Sequence, residues 1–412
     1  DRYLALFFRK GEVPSLEFYL LFVKNFLFLF CLWTFFLFVF DFYSFRHRPG
    51  EIEFFRSFLI FTSLCFFTGI FYFYFSPDLS IAPKTILFLQ ILTFSLLFLF
   101  CRTIFDFIFK KALRKERVLI LGSAEELKEL ITFVKKHFFP FEIKVKGGIS
   151  SEKDLFDFLK KEKIERVIIC NDAVDIKRIL INFPEIKIES FGNFYEKILK
   201  KVPFSALKDS RFLESFYKEE EKTYLLLKRA FDIFFALLGG IVFIFLFPLI
   251  AFLIKIDSPG PIFFIQERVG KNRKIFKSIK FRSMVSSPQK EENEVWREKN
   301  KKEVTRIGKI LRFTHLDELP QFLNILKGEM SFVGPRPEWK KLADRFEKEI
   351  PFYSLRYRVK PGFTGWAQIN YPPSRSIEEA KEKLQYDLYY IRHRSFLFDL
   401  IIFLKTLRKL FG

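Results

Sequence analysis

Residues that build metal centres and disulfide frameworks are scarce here: four cysteines and four histidines stand among 412 residues. Cys31, Cys65 and Cys101 lie inside apolar runs, and Cys170 follows Val-Ile-Ile. With no ligand or framework spacing among them they read as buried thiols, and a zinc site is not expected. Glycine is also sparse. At Leu121-Gly122-Ser123-Ala124, only one of the three glycines of a dinucleotide-binding turn is present, so a structural or regulatory role is favoured there over a nucleotide site. Acids fall short of bases, 48 against 69. Phenylalanine, by contrast, is abundant: 62 residues, in long uncharged runs that suit a lipid-facing surface better than a water-soluble core. The chain is too apolar for disorder and too long for one ordinary domain, so two or three units are expected.

Beyond residue 217 there are 37 basic residues against 23 acidic, which places +14 of the +21 net charge in that part of the chain. Such an excess calls for an anionic partner: a phosphorylated substrate, a lipid headgroup surface or nucleic acid. Three apolar runs, Phe18 to Phe40, Phe54 to Phe75 and Ile86 to Phe109, each approach the roughly 20 residues needed to cross a bilayer. Arg46, His47 and Arg48 between the first two, and Lys110, Lys111, Arg114, Lys115 and Arg117 after the third, put those segments on the cytoplasmic side. The amino terminus then falls outside. Because the chain opens without Met and Tyr3 to Phe8 is already apolar, the expectation is a truncated earlier helix and four native spans.

From Glu116, short β-branched runs alternate with charged amphipathic stretches, the pattern of a parallel α/β sheet. A fourth apolar segment, Ile233 to Ile254, is long enough to span, yet it has Lys222, Lys228 and Arg229 before it and Lys255, Arg268, Lys271, Arg273 and Lys274 after it. A span would put one cluster on the wrong side. Pro248 cannot donate to the carbonyl of Ile244, so a hinge there and a re-entrant hairpin are preferred to a fifth span, a kinked span being the alternative.

Chemistry-bearing residues follow. Lys280 and Arg282, two apart, would share one face of a strand and clamp a diphosphate, although on charge alone the run from Arg268 to Arg282 suits a headgroup-binding strip equally well. Asp317 and Glu318 are adjacent carboxylates in a basic neighbourhood. They suit metal binding or a division of labour, while the first turn of a helix explains such a pair more simply. Arg336 sits between Pro335 and Pro337, which reduces the entropy lost in fixing its fork on an oxyanion. Arg356, Arg358 and Lys360 precede Pro361-Gly362-Phe363-Thr364-Gly365-Trp366-Ala367-Gln368-Ile369-Asn370, either a loop that stacks a base or sugar or a plain turn.

Six motifs in order over about 190 residues, Lys228-Arg229-Ala230-Phe231-Asp232, Gln266-x-Arg268-x-Gly270, Lys280-Phe281-Arg282-Ser283-Met284, Asp317-Glu318-Leu319-Pro320-Gln321, Ser331-Phe332-Val333-Gly334-Pro335-Arg336-Pro337 and Lys360-Pro361-Gly362-x-Thr364-Gly365-Trp366-Ala367-Gln368, resemble those of the bacterial sugar transferases, the monotopic phosphoglycosyl transferases. The helices and sheet before them, with Phe194-Tyr195-Glu196, resemble the long-form members that start exopolysaccharide or O-antigen synthesis. The resemblance implies transmembrane helices over 1–112, a Rossmann-like α/β domain over 113–217 and a catalytic α/β domain over 218–412 with its re-entrant helix near 230–255.

It further implies transfer of a sugar 1-phosphate from a UDP-sugar to undecaprenyl phosphate, with Asp317 attacking the sugar-linked phosphorus and Glu318 helping to place Mg2+, so that both acids are metal ligands. Arg268, Lys280, Arg282, Arg336, Arg358, Lys360 and Arg375 would bind substrate. The partners so implied are the UDP-sugar, the polyprenyl acceptor and lipid of the bacterial inner membrane, with the catalytic domain facing the cytoplasm; a homodimer is compatible and nucleic acid is not expected. Three departures stand out: Phe247 where the family usually has Ser before the hairpin proline, His315 where Ser is common, and Arg375 as stand-in for an Asn-Gly-Arg. The competing readings are direct transfer in a ternary complex and a membrane-anchored headgroup-binding module without catalysis.

Overall fold

A computed structural model describes residues 16–40, 42, 52–75, 84–112, 115–137, 139, 141–146, 152–170, 176–217, 221–285, 304–374 and 376–411. The charged loop with Arg46, His47 and Arg48, the segment before residue 16, Arg114 and Arg375 lie outside them. The chain divides into two compact units, one built mainly from residues up to Glu189 and the other mainly from Ser190–Lys409.

In the first unit the three apolar runs form helices α1 (Leu16–Val39), α2 (Ile52–Phe75) and α3 (Lys84–Ala112). At 24, 24 and 29 residues, each is long enough to cross a ~30 Å hydrocarbon layer at 1.5 Å per residue. Side chains such as Phe67, Phe71, Phe88 and Phe100 are exposed on them, as lipid-facing residues would be, while Phe42, Phe54, Phe61 and Trp33 are buried in an aromatic cluster. The sheet that follows has the order β2-β1-β3-β4, with β1 (Glu116–Leu121), β2 (Phe141–Lys146), β3 (Arg166–Ile169) and β4 (Lys187–Ser190). β1 pairs in parallel with both β2 and β3. Interleaved are α4 (Leu127–Lys136), α5 (Glu152–Lys161) and α6 (Ile176–Asn182). Central β1 and β3 bury Val118 to Leu121 and Val167 to Ile169, the continuous apolar runs that a sheet covered on both faces requires.

The second unit begins at Ser190, earlier than the boundary between 217 and 218 expected from sequence. Helices α7 (Phe191–Leu199) and α8 (Ser210–Glu214) belong to it: Val202 N donates to Gln385 O at 3.0 Å, and Phe212 and Phe216 join its main core. The long helix α9 spans Lys222–Asp257, 36 residues. Its helical backbone is unbroken across Pro248, where the sequence places a hinge, so the chain does not leave the helix to form a hairpin of two separate helices there. Asp232, Ala236, Ile250 and Ile254 are buried on one stripe, with Phe243 and Phe247 packed on the same side, while Phe234, Leu238, Ile241, Phe245, Leu249 and Phe252 are exposed. Inward residues thus recur at helical spacing on both sides of Pro248.

Both ends of α9 are tied to the second unit by polar bonds. At the start, Arg229 donates to Ile325 O and Leu326 O, both at 2.7 Å, and the Asp232 carboxylate accepts from Ser331 Oγ and Phe332 N at 2.9 Å. At the other end, Arg282 Nη2 donates to Ser258 O at 2.6 Å and Nη1 to Pro259 O at 2.8 Å. Between these ties the helix approaches Phe322 so closely that a Cβ on Gly239 would lie 2.2 Å from its ring. Gly239→Val is therefore expected to cost about 1–3 kcal/mol through overpacking, read as a lower midpoint in thermal or denaturant unfolding.

The remaining elements are an antiparallel ribbon of β5 (Phe263–Val269) and β6 (Ile275–Phe281), helices α10 (Arg306–Phe313) and α11 (Gln321–Lys327), a parallel pair of β7 (Ser331–Val333) and β8 (Gly362–Thr364), and helices α12 (Lys340–Glu349), α13 (Trp366–Asn370), α14 (Ile377–His393) and α15 (Phe396–Phe411). Gly334, Gly362 and Gly365 bring two backbone segments together: a Cβ on Gly362 would lie 2.1 Å from Gly334 N. Here glycine serves close backbone approach.

Candidate active site

Between α10 and α11 the chain makes a tight turn, with His315 at φ 57° and a short 3-10 segment at Leu316–Glu318. Asp317 and Glu318 lie in the first turn of this short segment, ahead of α11, as the helix-start reading of the pair has it. Their surroundings differ sharply. The Glu318 side chain is buried and pairs with Lys280 from the end of β6 and with Arg336, whose Nη2 lies 2.8 Å from Glu318 Oε1. Burial alone would raise its pKa, but Arg336 and Lys280 outweigh that and hold it at about 2. Lys280 is itself pulled down, by burial and by the neighbouring Arg336, against the pull of Glu318. The site therefore stays crowded with positive charge.

Asp317 is half-buried and, among the described residues, accepts no hydrogen bond. Burial and the charge of Glu318 raise its pKa, with Lys280, Arg312 and His315 pulling the other way. Two adjacent carboxylates are thus pushed in opposite directions: Glu318 is held as the counter-ion of two cations, and Asp317 has no such partner within bonding distance among the described residues.

Of the other residues expected from sequence, Arg268 lies close to this centre, its Nη1 donating to Pro337 O at 2.7 Å, and burial lowers its pKa. Arg282 does not reach the site. β6 ends at Phe281, Arg282 N donates to Ile262 O, and the buried guanidinium is spent on Ser258 O, Ser258 Oγ and Pro259 O just beyond α9. Arg358 stacks on the Tyr217 ring, 4.1 Å from its centroid. Lys360 stands by Gly328 and Arg229 at the far end of α11 from Asp317, and burial with the charges of Arg229, Lys271 and Lys228 lowers its pKa. Trp366 is no stacking platform: it is buried, donates from Nε1 to Lys200 O at 2.9 Å and packs on Tyr389 and Phe398. Sequence reasoning missed Glu338, which follows Pro337 directly and is held at about 2, burial being outweighed by Lys383, Arg356 and Arg268.

Among the described residues no cluster of three or more His, Cys, Asp or Glu exists. An all-protein cation cage is therefore absent from them. A pair of carboxylates still suits Mg2+, which commonly takes one or two from the protein and completes its shell with phosphate and water. Glu318 would have to share its charge with Lys280 and Arg336.

An apolar helix laid on an α/β unit, with an open carboxylate among cations at one turn, describes a membrane-associated protein with a site suited to phosphate groups. Residues 223–412 match the family described as Bacterial sugar transferase. The chain is 32% identical over 326 residues to a UDP-glucose:undecaprenyl-phosphate glucose-1-phosphate transferase of Klebsiella pneumoniae, covering 72% of this chain and 68% of that protein. It is 42% identical over 185 residues to a UDP-N-acetylgalactosamine-undecaprenyl-phosphate N-acetylgalactosaminephosphotransferase of Aeromonas hydrophila, covering 45% of this chain and 44% of the relative. Identity to the Exopolysaccharide production protein PSS of Rhizobium leguminosarum bv. phaseoli is 42% over 187 residues, 44% of this chain and 94% of that one. The chain belongs to the bacterial sugar transferase family. The matched part is less than half the length of the Aeromonas protein.

Proposed function

We propose that this chain transfers a sugar 1-phosphate from a UDP-sugar to undecaprenyl phosphate in two steps through Asp317. The observation that carries the reading is the contrast at one turn: Glu318 clamped by Lys280 and Arg336, and Asp317 beside it without a hydrogen bond among the described residues. The names of the relatives supply the donor and acceptor classes. In the first step an Asp317 oxygen forms a bond to the sugar-linked phosphorus while the bond from that phosphorus to the bridging oxygen breaks, and UMP leaves with the electron pair. In the second, a phosphate oxygen of the lipid attacks the same phosphorus and the carboxylate departs, giving undecaprenyl-diphosphate-sugar.

Lys280, Arg336 and Arg268 supply fixed positive charge for phosphate oxygens in a partly dehydrated site, where such groups count for more than in water. Mg2+, held by Asp317 and Glu318, would add charge neutralisation at the phosphates. Glu318 cannot substitute as nucleophile, because its charge is spent on two cations.

The reading of membrane placement is supported by α9. A helix whose two ends are both bonded to one unit outside the lipid cannot deliver those ends to opposite sides of a bilayer. We read it as embedded from one face, its exposed stripe in lipid and Pro248 within the embedded part, with the second unit on the cytoplasmic side of the inner membrane. Phe313, 88% exposed and four residues before Asp317, suits the same lipid boundary. The strand order β2-β1-β3-β4 of the first unit follows the flavodoxin-like doubly wound sheet and not the 3-2-1-4 order of the Rossmann fold expected from sequence, so we take this sheet as doubly wound only. Purified protein, Mg2+, undecaprenyl phosphate and a panel of UDP-sugars should yield UMP and the diphosphate-linked lipid with at least one donor; no UMP from any of them refutes the reading.

A further inference from the structure

The loop that carries Arg336 has proline on both sides, and proline offers no N–H with which the loop could brace itself. Each of its carbonyls is instead held from outside. Pro335 O accepts from Gly362 N at 2.9 Å, Arg336 O from Arg356 Nη2 at 2.9 Å, Pro337 O from Arg268 Nη1 at 2.7 Å and Glu338 O from Val269 N at 3.1 Å. Arg356 is the buried member of this set. Its guanidinium also bonds Asp387 Oδ2 at 2.9 Å, stands 3.5 Å from Glu338 and touches the Tyr353 hydroxyl, while Lys383 meets Glu338 at 2.9 Å.

Burying two bases with two acids carries a desolvation cost that their attraction only roughly offsets, and apolar replacements of such networks are often as stable. Stability alone therefore gives little reason for the arrangement. We infer that Arg356 is a positioning residue: by holding the Arg336 carbonyl it keeps the Arg336 guanidinium on Glu318, beside Asp317. Its effect on rate rests on the transfer reading above; its effect on the loop does not. Misplacing a group in such a site by about 1 Å can cost on the order of 100-fold in rate.

The test uses the full chain. Arg356→Lys keeps the charge but lacks the fork that serves Arg336 and Asp387 together. Its kcat should fall about 100-fold with the KM for the UDP-sugar little changed. Adding Arg336→Lys to Arg356→Lys should cost no more, because the guanidinium is already displaced; fully additive losses would overturn the inference. Asp387→Asn, which preserves shape, should show the same loss confined to kcat, and serves if Arg356→Lys does not fold. Hydrogen exchange measured by mass spectrometry on the peptide 331–340 needs no turnover. It should quicken in both variants while α14 and α15 keep their protection, and unchanged exchange there would refute the inference. Wild-type protein inert with every donor would sink the transfer reading and leave the exchange result to decide this one.

Discussion

Asp317→Asn is expected to abolish sugar-phosphate transfer, with a loss of about 10 000-fold or more, the scale seen when a nucleophile is removed from an enzyme that works through it. The amide keeps the shape of the carboxylate and loses its charge and its nucleophilic oxygen. Glu318, one residue on, offers no rescue: it is locked to Lys280 and Arg336, and its pKa of about 2 marks how strongly the charge is held. Because Asp317 supports no hydrogen bond among the described residues, the variant should fold with wild-type stability. Steady-state UMP release and a thermal melt together check both statements. Retained turnover in Asp317→Asn would leave the residue no role beyond that of a metal ligand and favour direct transfer between the two substrates.

Glu318→Gln should do the reverse, damaging the fold as well as the rate. It leaves Lys280 and Arg336 facing one another without their counter-charge, and removing one partner of a buried ion pair commonly costs about 3–5 kcal/mol. The pH dependence carries a defined sign. Glu318 falls from an ordinary 4.5 to about 2 on folding, so its stabilisation is complete above pH 4.5 and is lost as pH drops through about 2. Wild-type and Glu318→Gln stabilities should therefore converge across that window and lie furthest apart near neutrality. Denaturant unfolding at a series of pH values measures the gap, and a gap constant from pH 7 to pH 2 would contradict the assignment.

Much of this molecule can be read locally. The three apolar runs became α1, α2 and α3 because lipid-facing helices announce themselves by composition, and the strand-helix alternation after Glu116 became a sheet because its buried strands are continuous β-branched runs. What escaped was set at a distance. The Asp317-Glu318 pair is visible in the sequence, but the difference between its members comes from Lys280 and Arg336, which only the fold brings to Glu318. Strand alternation suggested that Lys280 and Arg282 act together. The strand stops at Phe281, and Ser258 and Pro259, in the turn just beyond α9, claim the buried Arg282 guanidinium. Gly362 and Gly365 looked like parts of a ligand loop and instead allow two backbones to touch. The share of Ser190 to Tyr217 in the second unit had no local sign at all, since it depends on contacts with α13 and α14 far along the chain.

Central to the proposed reaction is a carboxylate that carries a phosphosugar between a soluble donor and a lipid. Intact-protein mass spectrometry after brief incubation with Mg2+ and the UDP-sugar alone, with no lipid acceptor, tests that most directly. A mass gain of one sugar phosphate, mapped to Asp317 and cleared by adding undecaprenyl phosphate, is the predicted result. Unmodified protein that nonetheless turns over once the lipid is supplied would contradict it.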